Sequence, residues 1–196
     1  MMPPAMPRKV DQINLTYDAG EDRMLLRVRG ADGTESALWL TRRYLQRLWQ
    51  GLLAALTRDP SVTTQPSPEA REAVVAFRHA EAVRKADFRQ PYRGKGRAGA
   101  SERGPSEAKP RPAGEAPPEG SHGLVTEARI VLADPRRPAL VFRTAEGREV
   151  SLALDGDALH SFCGLVQRAA RATDWDLDLH IPGVAGPGAE PAGEVH

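Results

Sequence analysis

The feature that most constrains the fold of this chain is an internal repeat of one pattern of hydrophobic periodicity. A constant offset of 114 residues matches Gly33 with Gly147, Leu38 with Leu152, Leu40 with Leu154, Leu45 with Leu159 and Leu48 with Phe162. Because the match runs through a turn, a strand and a helix without losing register, it indicates a duplicated unit.

In the first copy, Ile13, Leu15 and Tyr17 alternate with polar residues, which is the period of a strand with one buried face. A turn at 18–22 then leads to a second alternating run, centred on Leu26, so the two runs form a hairpin. A Gly-rich turn, a third short strand and a helix with Thr41 as N-cap and Pro60 at its end complete the unit.

The second copy follows the same order after residue 123. Ala128, Ile130 and Leu132 alternate, and a turn at 134–138 precedes a second strand. A third strand ends at Leu154, and Asp155 is the candidate N-cap of a helix whose apolar stripe ends near Ala170. Trp175, Leu177 and Leu179 alternate with aspartates and predict a short added strand.

These units predict an α+β protein built from two tandem βββα units, at 10–60 and 124–180. Each unit contains about 50 residues, and a three-stranded sheet with one helix buries too little apolar surface to fold alone. We therefore expect the two units to share one core and to pack as a pseudo-two-fold domain.

Residues 66–90 between the units predict a central helix, with Ser67 as N-cap and an apolar stripe. The stripe consists of Ala70, Val74, Phe77 and Ala80. Residues 91–123 are rich in Gly, Pro and charge and predict a disordered linker, and residues 181–196 predict a disordered tail.

Composition narrows the classes of partner and compartment. The net charge of +1 gives no global field that would attract nucleic acid or an anionic membrane. No apolar run is long enough for a membrane span or a secretory signal, so we expect no membrane partner and a cytoplasmic location of bacterial type. Cys163 is the single cysteine, and the five histidines share no ligand spacing, so we expect no metal site and no cofactor.

No catalytic motif is present in the sequence, which favours a non-enzymatic protein. Cys163 and His160 lie three residues apart on one predicted helix and form the one pair that could suit nucleophilic catalysis. Position 163 aligns with Trp49 in the first copy, and position 160 with Gln46, so a structural role is favoured for both. The sequence leaves open a catalytic pocket between the units.

A candidate binding surface combines basic and aromatic residues. Three arginines lie at the start of the first helix, the segment 84–97 carries six Lys or Arg and two aromatics, and Trp39 points away from the predicted core. Its members are Trp39, Arg42, Arg43, Arg47, Arg84, Lys85, Phe88, Arg89, Tyr92 and Arg93.

Structural alternatives exist for each part of this surface. The arginine stems could cover apolar surface, Phe88 and Tyr92 could anchor the central helix to the core, and the central helix could cover Trp39.

The order of elements over 12–57 and 124–173 resembles, in architecture and in no diagnostic residue, the repeats of the Pur-alpha and Whirly families of single-strand nucleic-acid binders. We predict an interaction or accessory protein that presents a sheet-plus-helix surface to a protein partner. The alternative is a single-stranded nucleic-acid binding protein that uses the basic helix start and the 84–97 stretch. Homodimerisation through free sheet edges is a further option.

Overall fold

A computed structural model describes residues 7–86 and 122–184, and it shows an α+β fold with a six-stranded mixed sheet and four helices in this part of the chain. The strands are β1 (Arg8–Asp18), β2 (Arg23–Gly30), β3 (Glu35–Leu40), β4 (Gly123–Val131), β5 (Ala139–Thr144) and β6 (Glu149–Ala153). The helices are α1 (Arg42–Thr57), α2 (Pro60–Thr63), α3 (Pro68–Lys85) and α4 (Gly156–Ala170).

The six strands form one closed sheet in the order β1 to β6. Neighbours within β1–β3 and within β4–β6 are antiparallel. Two short parallel contacts close the ring, one between β3 and β4 at Leu38 and Gly123, the other between β1 and β6 at Lys9 and Ala153. Every described strand has two hydrogen-bonded neighbours, but each parallel contact covers only two residue pairs, so homodimerisation through the remaining sheet edges stays a prediction.

The alternation read from the sequence corresponds to the two faces of the sheet. Met24, Leu26 and Val28 on β2 are buried, and their neighbours Arg27 and Arg29 on the same strand point outward and are partly exposed. The turns before β3 and β6 each contain a glycine with positive φ, 76° at Gly33 and 80° at Gly147, a conformation that glycine adopts without steric cost.

Each long helix that follows a three-stranded run packs on the first strand of the other run. Helix α1 packs on β4, and helix α4 packs on β1. The approach of α1 is close, because a Cβ atom on Gly51 would lie 3.0 Å from Cδ1 of Ile130. The result is one apolar core to which both runs and both helices contribute.

All three predicted N-cap positions are confirmed, and two of them make the side-chain capping hydrogen bond. The side chain of Ser67 accepts a hydrogen bond from the Ala70 amide at 3.1 Å, and that of Asp155 accepts one from Ala158 at 2.9 Å. Thr41 is the N-cap of α1, but its side chain makes no capping hydrogen bond. Pro60 lies beyond the end of α1 at Thr57 and is also the first residue of α2, which Asp59 caps.

The apolar stripe predicted for α3 is only partly buried, since Ala70 and Val74 are half-buried and Val74 packs against the core. The buried residues of this helix are Val75, His79 and Ala82, whereas Phe77 is 69% exposed and Ala80 is also exposed. The helix packs chiefly against α4, with further contacts to α2 and α1, so it does not lie over Trp39 as the sequence suggested. The face of α3 that packs against α4 is the one with Val75, His79 and Ala82, and this sets the orientation of the helix.

Residues 174–181 form no strand, although their predicted alternation of burial is present. Trp175 and Ile181 are buried, and Leu177 and Leu179 pack partly against the core. The Trp175 indole Nε1 donates a hydrogen bond of 2.6 Å to the Asp22 carboxylate in the β1–β2 turn. Side-chain contacts thus hold this segment where a strand ladder was expected.

Several sequence predictions fall partly outside the described residues. The linker predicted at 91–123 and the end of the central helix predicted to residue 90 lie in the undescribed range 87–121, except that Gly123 begins β4. Of the tail predicted from residue 181, Ile181 is fully buried and residues 185–196 lie outside the described range. No helix within 7–86 or 122–184 has the length and apolar character needed to cross a bilayer.

We predict that neither half folds alone. Residues 1–86 would lack α4 over β1, and residues 122–196 would lack α1 over β4, so each half would expose apolar surface that the full chain buries. Separately expressed halves should show no cooperative thermal unfolding and weak near-ultraviolet circular dichroism, and mixing them should restore both signals. The matched control is the full chain cut once between residues 87 and 121 after folding, which should retain its transition. A cooperative, monomeric transition in either isolated half would contradict the shared core.

Candidate functional site

The most exposed large apolar side chain among the described residues is Phe77, at the middle of α3. Ala73 and Ala80, one turn before and after it on the same face, are also exposed. Val74 beside them is half-buried. These four residues form a strip that we call the Phe77 face, and its small flanking side chains let another molecule approach the aromatic ring.

The opposite face of α3 packs chiefly against α4. Three side chains are buried, Val75, His79 and Ala82. The hydroxyl of Ser161 on α4 donates to the Ala82 carbonyl at 3.4 Å, and near the other end of α3 a Cβ atom on Gly183 would lie 2.5 Å from the Glu72 carbonyl oxygen. Since His79 hydrogen-bonds Gln167 while Ala82 meets Ser161, α3 and α4 are antiparallel.

A pair of buried histidines lies at the centre of the α3–α4 contact. His79 is 5% exposed and His160 is 2% exposed, and their ring centroids are 5.9 Å apart. The Nδ1 atom of each ring has no hydrogen-bond partner. Burial lowers the pKa of His79. Burial, helped by the Arg78 charge and by His79 and opposed by Asp59, lowers the pKa of His160 to about 4. Both rings are therefore neutral at physiological pH.

A polar cleft of about 500 Å³ lies beside the histidine pair, where α2, α3, the start of α4 and the β4–β5 turn meet. In this cleft the Arg78 guanidinium contacts the Asp59 carboxylate at 2.9 Å and donates a hydrogen bond to the Ser61 hydroxyl at 2.7 Å. A Cβ atom on Gly156 would lie 2.5 Å from this guanidinium, so the absence of a side chain there makes room for Arg78.

Acidic side chains around this cleft compensate the positive charge of the Arg78 guanidinium. Asp59 is ion-paired with Arg78, and Asp155 and Asp157 occupy the start of α4. Although burial opposes it, hydrogen bonds from Ser61 and the charge of Arg78 leave the pKa of Asp59 below its usual value. The arrangement joins α2 to α3 through an internal ion pair.

Cys163 has no nucleophilic character in this structure. The residue is fully buried on α4, and burial raises the pKa of its thiol, so thiolate is scarce near neutral pH. His160, three residues before it, is itself held neutral. Within residues 7–86 and 122–184 no group of three or more His, Cys, Asp or Glu side chains is placed to hold a metal ion.

The basic residues predicted for binding at the start of α1 are exposed. Arg42, Arg43 and Arg47 lie on the outward side of the helix, with the Arg47 guanidinium 6.0 Å from the centre of the Tyr44 ring. Trp39 is half-buried on the outer face of the sheet, and its ring centroid lies 5.4 Å from that of His122.

Trp39 also lies beside outward arginines of β2. It is opposite Leu25 in the register of β2 and β3, and Leu25 is flanked on the outer face by Arg23 and Arg27. The corresponding outer face of β4–β6 carries a network in which Arg129 and Arg143 each contact Glu127 and Glu149. The face with Trp39 therefore combines an aromatic ring with arginines, of which Arg23 contacts Glu21 at 3.8 Å.

The structure does not bring the predicted basic residues together. Arg84 and Lys85 are exposed at the end of α3, and the charge of Lys85 interacts with that of Asp157 at the start of α4. Arg42 lies near Asp22, which binds Trp175, a residue just beyond the other end of α4. Since α4 has 15 residues, about 22 Å of helix separates the two groups. Phe88, Arg89, Tyr92 and Arg93 lie outside the described residues.

Sequence reasoning missed His79, Arg78 and the outward position of Phe77. A signal for the first existed, because Val75, His79 and Ala82 recur at positions i, i+4 and i+7, which is the spacing of a helix face. That face was less apolar than the stripe containing Phe77, and periodicity alone does not show which of two faces has a partner within the chain.

Comparison with protein-family models, with curated proteins and with solved structures found no match to this chain.

We predict that Cys163 is inert in the native protein. Iodoacetamide at mildly alkaline pH should leave the thiol unmodified over hours, because the side chain is buried and its pKa is raised, whereas denaturant should expose it to complete labelling. Mass spectrometry measures the modified fraction. The matched control is a Ser101→Cys, Cys163→Ala variant, in which the thiol occupies the Gly/Pro-rich segment. Rapid labelling of native Cys163 would show an accessible thiolate and would reopen a catalytic role.

Proposed function

We propose that this protein is a non-enzymatic interaction or accessory protein that binds a protein partner through the Phe77 face of α3. The observation that carries the proposal is the 69% exposure of Phe77 on a helix whose other side is packed. Exposed aromatic side chains flanked by small residues are typical anchors of protein interfaces, since they bury a large area at low cost in side-chain entropy.

The sequence of α3 also favours an orientation for the partner. Glu69 and Glu72 lie near the start of the helix, and Arg84 and Lys85 lie in its last turn. A partner helix with the same order of charges would pack antiparallel to α3, so that its acidic end meets Arg84. Apolar side chains at intervals of three and four residues on that partner would surround the Phe77 ring.

We further propose that the fold consists of two βββα units related by a pseudo-two-fold axis. The support is the identical element order, the reciprocal packing of α1 on β4 and α4 on β1, and the two parallel contacts that join the runs. The corresponding glycines Gly33 and Gly147 share the same backbone conformation.

The buried thiol of Cys163 suits a reducing compartment, which supports a cytoplasmic location.

Single-stranded nucleic-acid binding is the second candidate. Trp39, with Arg23 and Arg27 on the outer face of the sheet and Arg42 and Arg43 just after it, offers a stacking ring beside cationic groups. The separation of Arg84 and Lys85 from this cluster favours the protein partner, because one contiguous surface does not include all the predicted basic residues.

The prediction for the leading proposal is that Phe77→Ser weakens partner binding by at least roughly 30-fold in Kd, which corresponds to about 2 kcal/mol. The substitution should change the free energy of unfolding by no more than about 0.5 kcal/mol, because the ring is exposed. The tagged protein is used to capture partners from its native cells after nuclease treatment, and the captured protein is then titrated in purified form.

Val131→Ser is the matched control, since Val131 is the second large apolar side chain exposed among residues 7–86 and 122–184, at 40%, and lies on β4 instead of α3. This variant should bind like the unsubstituted chain. Equal binding by Phe77→Ser would exclude the Phe77 face. Capture of nucleic acid that falls steeply with salt and is lost in an Arg42→Glu, Arg43→Glu variant would replace the proposal with the second candidate.

A further inference from the structure

The packing of α3 on α4 has a buried titratable centre. One of the three buried side chains of α3 is a histidine, and that histidine faces a second buried histidine on α4. The two unpartnered Nδ1 atoms would both need solvation once protonated, and the contact between the helices provides none. Two like charges with ring centroids 5.9 Å apart would also repel each other.

We propose that α3 is an acid-sensitive element, which mild acidification releases from α4 by protonating the His79–His160 pair. The release withdraws the Phe77 face, because a free helix of 18 residues is only marginally stable in water. This consequence for binding rests on the proposed function, whereas the release itself does not.

Other charged groups around the pair do not cancel the effect. Arg78 on α3 disfavours protonation of His160, and Asp59 at the start of α2 favours it, but these two are ion-paired with each other. From α4, Gln167 hydrogen-bonds His79, and the Cys163 thiol is neutral. The Glu81–Lys85 pair and Asp157 lie toward the exposed end of the contact. Helix α1 contributes only uncharged buried side chains, and the buried residue of β1 is Leu15.

The sign of the effect follows from the lowered pKa values of both histidines. Released rings regain an ordinary pKa near 6.5, so the released state binds more protons than the docked state at mildly acidic pH. Docking of α3 on α4 is therefore fully favoured above the ordinary histidine pKa of about 6.5. It weakens as the pH falls toward the pKa of His160 in the docked state, about 4. From pH 7 to pH 5, His160 alone should lower the docking equilibrium constant on the order of 20-fold.

Hydrogen exchange of the full chain, followed by mass spectrometry and corrected for intrinsic exchange rates, tests this inference without any partner. Between neutral and mildly acidic pH, peptides of α3 should lose roughly 20-fold in protection, as expected from proton linkage. Peptides of β1 to β6 should keep theirs. Unchanged protection in α3, or loss of protection in all elements together, would overturn the proposal.

For each variant, the protection of α3 peptides at neutral pH is divided by their protection at mildly acidic pH. This pH ratio separates a change in pH dependence from a change in overall stability. His160→Gln should reduce the pH ratio for α3 peptides to the part that His79 contributes, and His180→Gln, at an exposed histidine, should leave the ratio unchanged. A pH ratio in His160→Gln equal to that of the unsubstituted chain would contradict the assignment. Binding lost in Phe77→Ser at neutral pH, with no acid release of α3, would sustain the proposed function and reject this inference alone.

Discussion

The structure depends on the burial of each three-stranded run by the helix that follows the other run. Helix α1 packs on β4 and helix α4 packs on β1, so neither β1–β3 with α1 nor β4–β6 with α4 is covered by its own elements alone. The parallel contacts between β3 and β4 and between β1 and β6 then close the sheet. The Trp175 indole, hydrogen-bonded to Asp22 across 153 residues of sequence, ties the chain after α4 to the first hairpin. Helix α3 takes no part in this reciprocal packing of helices on strands and packs mainly on α4.

This position explains why α3 is the element that we connect with function. Helix α3 contributes Val75, His79 and Ala82 as buried side chains, and His79 meets His160 in its contact with α4. Helix α3 combines this contact with Phe77, the most exposed large apolar side chain in the part of the chain that the structure describes, and with the buried His79. The cleft at Arg78 strengthens the same attachment, because the Arg78–Asp59 ion pair joins α3 to α2.

Much of the fold was predictable because local rules and tertiary packing agree in it. Alternation located the strands, as at Leu26 on β2, and the side-chain caps of Ser67 and Asp155 marked two helix starts. The repeat indicated that two similar runs would meet. The strand predicted at 175–179 failed because alternating burial also arises in an extended segment that packs by its side chains, as Trp175 and Ile181 do here. The candidate surface was only partly predictable, since exposure of Arg42 and Arg47 follows from charge, whereas the outward position of Phe77 follows from α4 preferring the face with His79.

The central claim is that α3 docks through Val75 and His79 and leaves Phe77 in solvent. Hydroxyl-radical footprinting of the full chain measures this directly, by comparing oxidation of Phe77 with that of Phe142 and Phe162, which are almost fully buried. We predict that Phe77 is oxidised rapidly in the isolated protein, while Phe142 and Phe162 are oxidised only after denaturation. Protection of Phe77 equal to that of the two core phenylalanines would contradict the orientation of α3 and, with it, the proposed binding face.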